Sequence, residues 1–374
     1  MNTSATRALL GAALAGVLLA GCSSVDNGPA PGGTGSATGG IGSAAGGSPG
    51  SAAGSTSTVG SGSGAAVTPS TKLDLQAHRG GAGENTENSI ASFTHALELG
   101  VSTLEMDTQI TQDGKVVVTH DNTVNSDVCA VTEPATPNDP QFPYVGKVVH
   151  ELTVAQLETL DCGFQPRPDL PDQKATKGSK IPQLQQVLAL VKAHKADVMM
   201  NIETKVDATA RQQSAPIDEF VKLLDDQLKA SGLADQVTIQ SFDWQTLVAM
   251  HKLDPTLPLV ALTTSANLQV GMPGSSPWLG GLDIDDYDGD VAKAAAAIDG
   301  VTAISPAKAD VTPELVSSAH AQRLAVIPWT VDDEDQMQQL IDLGVDGIIT
   351  NYPTRLRGVM ATDKLPLPPP FGAP

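Results

Sequence analysis

The chain has 374 residues and a formal net charge of -20, with only 22 Lys and Arg and no basic cluster among them. That balance excludes a grip on the phosphate backbone of nucleic acid, which needs clustered cations. An anionic substrate would need a locally positive pocket, and the length allows one large domain or two ordinary ones.

The first 22 residues read as a bacterial export signal. Arg7 is the only charge before an apolar run at 8–20, too short for a membrane span and suited to a signal-peptide core. The run ends in Leu19-Ala20-Gly21-Cys22, which resembles a lipobox; Cys22 would carry the lipid, and an ordinary secretory signal is the alternative. Residues 23–70 are almost all Gly, Ser, Ala, Thr and Pro, a composition that cannot bury a core. They read as a disordered tether with a mean reach of about 40 Å. The expectation is a folded domain, exported and lipid-anchored in the cell envelope on its periplasmic or outer face.

The folded part is expected at 71–360, followed by a Pro-rich tail at 361–374. Short apolar runs fall at 73–77, 103–107, 197–202, 237–241, 257–262, 301–305, 324–329 and 347–350. Amphipathic helical stretches lie between many of them: 88–99, with Ile90, Phe93 and Leu97 on one face, and 217–230, 244–252, 313–322 and 333–343. Gly100, Gly232 and Gly344 follow three of these, where a C-cap glycine is expected. Eight strands alternating with helices predict a (β/α)8 barrel. A doubly wound open sheet is the rival, but no GxGxxG follows the first strand.

Two stretches break the rhythm. In "DTQITQDGKVVVTHD", 107–121, Asp113-Gly114 reads as a two-residue hairpin loop. Gln112 would then face Lys115 and Asp107 would face His120. Residues 122–180, rich in Pro and polar residues, read as an insertion at the barrel mouth with one short helix at 154–160. The insertion holds Cys129 and Cys162. In an oxidising compartment a disulfide between them is the simple expectation, two separate buried thiols the alternative.

The hairpin would bring Glu105, Asp107 and His120 to one face at a strand end, where barrel enzymes place their sites. Paired carboxylates suit a hard cation, Mg2+ or Ca2+, and a nearby His suits acid–base work. Taken alone, the stretch is equally a surface hairpin with solvated polar groups. Other strand ends add to it. "NIETK" contributes Glu203 and Lys205, and "AHRG" contributes His78 and Arg79, whose guanidinium can grip phosphate. Together these seven groups fit metal-assisted phosphodiester cleavage.

The same residues carry a family resemblance. "AHRGG", "LEMDTQITQDGKVVVTHD", "NIETK", "IQSFD", "IPWTV" and "DGIITNYP" are similar to the glycerophosphodiester phosphodiesterases, over 72–357. The resemblance implies a (β/α)8 barrel with a small insertion. It implies Glu105, Asp107 and Glu203 as ligands of one divalent cation, with export leaning toward Ca2+. His78 and His120 would be the acid–base pair, and Arg79 and Lys205 would bind phosphate. Trp329 would pack on the glycerol end and Phe242 would line the pocket. The products would be sn-glycerol 3-phosphate and an alcohol, formed through a cyclic phosphate. The sequence departs from the family at Thr86, where Pro is usual, at Ser89, where Thr is usual, and at Asn351, where Asp is common. Two acidic signatures compete for one place: Glu84-Asn85-Thr86 and Glu87-Asn88-Ser89. The family spacing of nine residues from His78 selects Glu87, to orient Arg79 or support the metal shell.

Other readings remain open at this level. A lysophospholipid or a teichoic-acid-type envelope polymer would use the same groups. An envelope-binding lipoprotein without catalysis is the non-enzyme alternative.

Overall fold

A computed structural model describes residues 72–373. The export signal, Cys22 and the tether lie outside the described residues. β1 (Asp74–Ala77) leads to α1 (Ile90–Leu99), and β2 (Thr103–Ile110) is followed by β3 (Val116–Val118). After α2 (Val154–Leu157) and α3 (Leu184–Ala193) come β4 (Met199–Thr204), α4 (Ile217–Ser231), β5 (Val237–Ser241) and α5 (Trp244–Leu253). Then follow β6 (Leu259–Thr263), α6 (Ser265–Leu268), α7 (Val291–Ala296), β7 (Val301–Pro306) and α8 (Pro313–Ala321). The described chain ends with β8 (Ala325–Val326), α9 (Glu334–Asp342), β9 (Gly347–Thr350) and α10 (Pro353–Thr362).

Eight strands run parallel in the order β8-β7-β6-β5-β4-β2-β1-β9, and β3 pairs antiparallel with β2. The two ends of this sheet meet. Asp346 N donates to Val326 O at 2.9 Å, and Ile349 N to Pro328 O at 3.0 Å, so the sheet curls into a nearly closed barrel. All eight apolar runs read from the sequence become strands. The seventh, 324–329, keeps only two residues of regular ladder, because Pro328 has no N–H to give. Trp329 N still reaches Pro306 O at 3.1 Å.

Apolar residues pack between strands and helices, as the β–α alternation requires. α1 buries Phe93, Ala96 and Leu97. Ile90 does not join them: it opens the helix directly after the Ser89 N-cap and is exposed. The barrel interior divides in two. A polar half links Gln76, Asn201 and Gln240, with Asn201 Nδ2 donating to Gln76 Oε1 at 3.0 Å and to Gln240 Oε1 at 2.8 Å. An apolar half packs Val260, Ala303, Ile327 and Ile349.

The hairpin differs from expectation by one residue. Thr108 pairs with Val118 and Ile110 with Val116, so Asp107 stands beside Thr119 and not His120. The loop has three residues, not two. Gly114 takes φ 70°, and its N–H donates to Thr111 O at 3.0 Å, the turn-plus-bulge closure that an αL glycine allows. A one-residue slip turns each side chain to the other face of a strand. His120 escapes that consequence because β3 ends at Val118 and the chain leaves the ladder before reaching it.

Residues 122–180 build a second apolar cluster around Tyr144, Leu152, Leu157 and Leu160. Their helix spans Val154–Leu157, shorter than the expected 154–160. Cys129 and Cys162 form a disulfide inside this cluster. The tail packs down on the barrel: Phe371 N donates to Leu97 O at 2.8 Å, and His194 Nδ1 lies 2.8 Å from Gly372 O. Among the described residues no helix is long and apolar enough to cross a membrane.

Candidate active site

The C-terminal ends of the strands bring the predicted residues together. β2 carries Glu105 and Asp107, and in β4 Glu203 stands directly beside Asp107 in register. Oxygens of Glu105, Asp107 and Glu203 all lie within 4.8 Å of one another, and all three residues are buried. Burial pushes Glu105 well above the usual carboxylate range, and the neighbouring Asp107 and Glu203 add to it. Burial likewise lifts Glu203, to about 7, against the opposing pull of Lys205. Burial works the same way on Asp107, yet Arg79, His120 and Lys205 outweigh it and hold that carboxyl low. Three carboxylates crowded into so small a buried volume repel one another, and a divalent cation offsets that repulsion. Their oxygens are the donor set that Ca2+ and Mg2+ prefer. The residues therefore fit a divalent metal.

Arg79 and Lys205 flank the carboxylates. Arg79 Nε lies 3.1 Å from Asp107 Oδ2, and its backbone N–H donates to Glu105 Oε2 at 2.8 Å. That backbone bond requires a tight turn after β1. Arg79 sits at φ 51°, and Gly80 at φ 79° lies so close to α1 that a Cβ there would meet Ser92 Oγ at 2.5 Å. Lys205 Nζ is 2.8 Å from Glu203 Oε1 and 3.8 Å from Asp107 Oδ1.

Two imidazoles complete the site. His78 follows β1, with Nε2 4.0 Å from Glu105 Oε2 and Nδ1 2.6 Å from Asn351 Oδ1. Asp332 fixes the Asn351 amide by accepting from its Nδ2 at 2.8 Å and from its backbone N–H at 2.9 Å. The amide oxygen is thereby turned to His78, so Nδ1 carries the proton and Nε2 is left for a substrate. Burial, then Arg79, pushes the pKa of His78 down to about 3. His120 lies beyond β3 with Nδ1 2.7 Å from Asp121 Oδ1, and burial, Lys205 and Arg79 lower its pKa too. His78, Arg79, His120, Lys205, Phe242 and Trp329 all line one pocket of about 80 Å3 with the three carboxylates.

The two acidic signatures separate. Glu87 Oε1 accepts from Arg79 Nη1 at 3.0 Å, and Glu87 Oε2 from Arg167 Nη1 at 2.5 Å. Glu84 instead meets His95 Nε2 at 2.9 Å and the amide of Thr354 at 2.9 Å, at the start of α10. Glu87 is thus the carboxylate that holds Arg79, and Glu84 ties a loop to a helix.

Several residues at the site were not read from the sequence. Gln240 Nε2 donates to Glu105 Oε1 at 2.8 Å, and Asn88 Nδ2 to Asp107 Oδ2 at 2.9 Å. Gln240 lay inside the "IQSFD" signature, a signal that was available. Asn88, at φ 48°, precedes the N-cap of α1, where Asn is favoured in that conformation. Arg167 comes from the insertion and had no signal in its spacing.

Comparison with known proteins gives the class first. A glycerophosphodiester phosphodiesterase of Bacillus altitudinis is 30% identical over 279 residues, which is 75% of this chain and 94% of the relative. By class the chain is a phosphoric diester hydrolase. It belongs to the glycerophosphoryl diester phosphodiesterase family, whose sequence profile matches residues 78–355. A Silicibacter pomeroyi protein assigned as a glycerophosphoryl diester phosphodiesterase has a crystal structure with TM-score 0.66 at 27% identity, covering 79% of this chain and 95% of that one. An Oleispira antarctica phosphodiesterase, solved with the product sn-glycerol-3-phosphate, shares the fold with TM-score 0.57 at 19% identity, over 78% of this chain and 98% of that one.

Proposed function

We propose that the chain hydrolyses glycerophosphodiesters to sn-glycerol 3-phosphate and an alcohol, in a reaction that needs one divalent cation. The observation that carries this reading is the buried carboxylate trio flanked by Arg79, Lys205 and two imidazoles. Glu105, Asp107 and Glu203 would hold the cation, Ca2+ or Mg2+, which when bound neutralises charge on the phosphodiester. Arg79, steadied by Glu87, and Lys205 bind the non-bridging phosphate oxygens. A glycerol hydroxyl attacks phosphorus and forms a cyclic phosphate, while one imidazole takes its proton. The other imidazole gives a proton to the leaving alcohol. Water then opens the ring, with the two roles exchanged. Trp329 packs on the glycerol end and Phe242 lines the pocket beside it. The Oleispira antarctica complex supports the proposed product. We also propose, from residues 1–70 alone, that the enzyme is exported and held in the envelope by lipid on Cys22.

The test uses 31P NMR on glycerophosphocholine. The wild type should yield glycerol 3-phosphate, and His120→Ala should lose about 10²- to 10⁴-fold in turnover, the usual worth of general acid–base help. A His120→Ala variant with near-wild-type turnover would sink the assignment.

A further inference from the structure

A chain of buried amides runs down the barrel from the carboxylate trio, and no step of the proposed reaction uses it. Gln240 Nε2 donates to Glu105 Oε1 at 2.8 Å, and Gln240 Oε1 accepts from Asn201 Nδ2 at 2.8 Å. The same Asn201 Nδ2 donates to Gln76 Oε1 at 3.0 Å, and Gln76 Nε2 donates to Asp74 Oδ2 at 2.7 Å. Thr238 Oγ1 donates to Asn201 Oδ1 at 3.0 Å, so every side-chain amide nitrogen and oxygen in the chain has a partner. Gln76, Asn201 and Gln240 are all buried. Packing alone does not require them: the other half of the same interior is filled by Val260, Ala303, Ile327 and Ile349. Burying amides costs free energy unless each is bonded, and a fully bonded set fixes one arrangement.

The direction of every amide follows from the two ends of the chain. Glu105 and Asp74 are carboxylates, which only accept, so Gln240 and Gln76 must turn their nitrogens toward them. Their oxygens then face Asn201 from two sides. Asn201 can serve both only through its NH2, which has two hydrogens, and its own oxygen is left to Thr238. Turning Asn201 over would set its oxygen against two amide oxygens. Gln240 would then turn over too, and its oxygen would meet Glu105 Oε1. The other oxygen of Glu105 is already held by the Arg79 amide at 2.8 Å, so the Gln240 bond completes the orientation of this carboxylate. In the sheet Asn201 stands in register with Glu105 on one side and Thr238 on the other, and it shares its face of β4 with Glu203.

We propose that Asn201 is a positioning residue for the metal site: by fixing the direction of Gln240, it holds Glu105 ready for a divalent cation. The proposal rests on the metal-dependent reading above and adds the residue that presets one of its ligands. Asn201 does not line the pocket of the carboxylate trio, and it acts through Gln240. Partners of this kind orient a ligand before the metal arrives, and their loss typically costs about 10- to 100-fold in metal affinity.

The test is a double-mutant cycle read by metal binding. The full chain is stripped with EDTA, freed of the chelator, and titrated with Ca2+ and with Mg2+ in a calorimeter. Wild type should bind at least one of the two. Asn201→Leu should weaken that ion about tenfold or more, and Gln240→Met by a similar factor. In the double variant the losses should not add, because Asn201 has nothing to orient once Gln240 is gone. Thr238→Val removes only the hydroxyl on Asn201 Oδ1. It should weaken the ion about two- to fivefold alone and have no further effect beside Gln240→Met. This milder cycle decides the matter if thermal unfolding shows that Asn201→Leu does not fold. Unchanged affinity in the variants, or losses that add in the double variant, overturns the proposal and leaves the metal-dependent reading intact. A wild-type chain that binds neither ion overturns both.

Discussion

Glu87 and Glu84 show how much a single carboxylate depends on its partners. Glu87 bridges Arg79 and Arg167, while Glu84 bonds His95 and Thr354 away from the carboxylate trio. Removing the charge of Glu87 leaves a buried guanidinium short of its partner. Charge-assisted hydrogen bonds are worth about 1.5–3 kcal/mol, so Glu87→Gln should lower kcat/KM by about ten- to a hundredfold. Glu84→Gln should stay within about threefold of wild type by the same assay. The reverse order would mean that the other signature serves the site. A second residue-scale effect lies far from it. Asp254 is held down to about 2, chiefly by the Thr256 hydroxyl at 2.6 Å and also by the Thr256 amide and Lys229. A carboxyl lowered in the folded state contributes stability above its unfolded pKa of about 4, and that contribution fades as pH falls toward 2. Thr256→Val should therefore unfold at lower urea than wild type at pH 5, and the gap should narrow steadily below pH 4. A gap independent of pH would show that the Thr256 hydroxyl acts by packing alone.

At the scale of elements, the hairpin after β2 was legible as a turn but not in its register. Asp113-Gly114 signalled a turn, and a turn is there. Gly114 is αL in either loop; a two-residue turn would also need a positive φ at Asp113, which it does not take, and the letters alone do not separate the two. The expected pairing of Asp107 with His120 was wrong, although His120 reaches the site because β3 stops short of it. The insertion was legible as an interruption but not as a structure. Its own apolar cluster, and the reach of Arg167 to Glu87, depend on contacts between residues distant in sequence. The disulfide closes a loop of 33 residues within it. Opening such a loop releases chain entropy worth about 3–4 kcal/mol in the unfolded state. A Cys129→Ser, Cys162→Ser double variant should melt earlier in calorimetry than the wild type, and should lose part of its activity as Arg167 loosens. An unchanged melting temperature would show that the insertion is held by its apolar cluster without the crosslink.

For the molecule as a whole, the strand–helix alternation announced the barrel because each parallel strand must be followed by a crossover that covers its outer face. All eight strands were legible for that reason. Helices α3, α7 and α10 were less so: α7 is a short, alanine-rich helix, and α10 follows its strand after only two residues. The main catalytic candidates were visible because chemistry demands particular side chains at strand ends. Among their supports, Gln240, Asn88 and Asn351 stood inside motifs without a readable role, and Asp332 and Arg167 stood in none, because a hydrogen-bond partner can come from any element the fold brings near. We propose that the buried carboxylates of β2 and β4 work by holding a divalent cation. Release of glycerol 3-phosphate from glycerophosphocholine should be measured on protein stripped with EDTA, then again after Ca2+ or Mg2+ is restored. Turnover should fall to background in the stripped protein and return with one of these ions. Full turnover by the metal-free protein would contradict it.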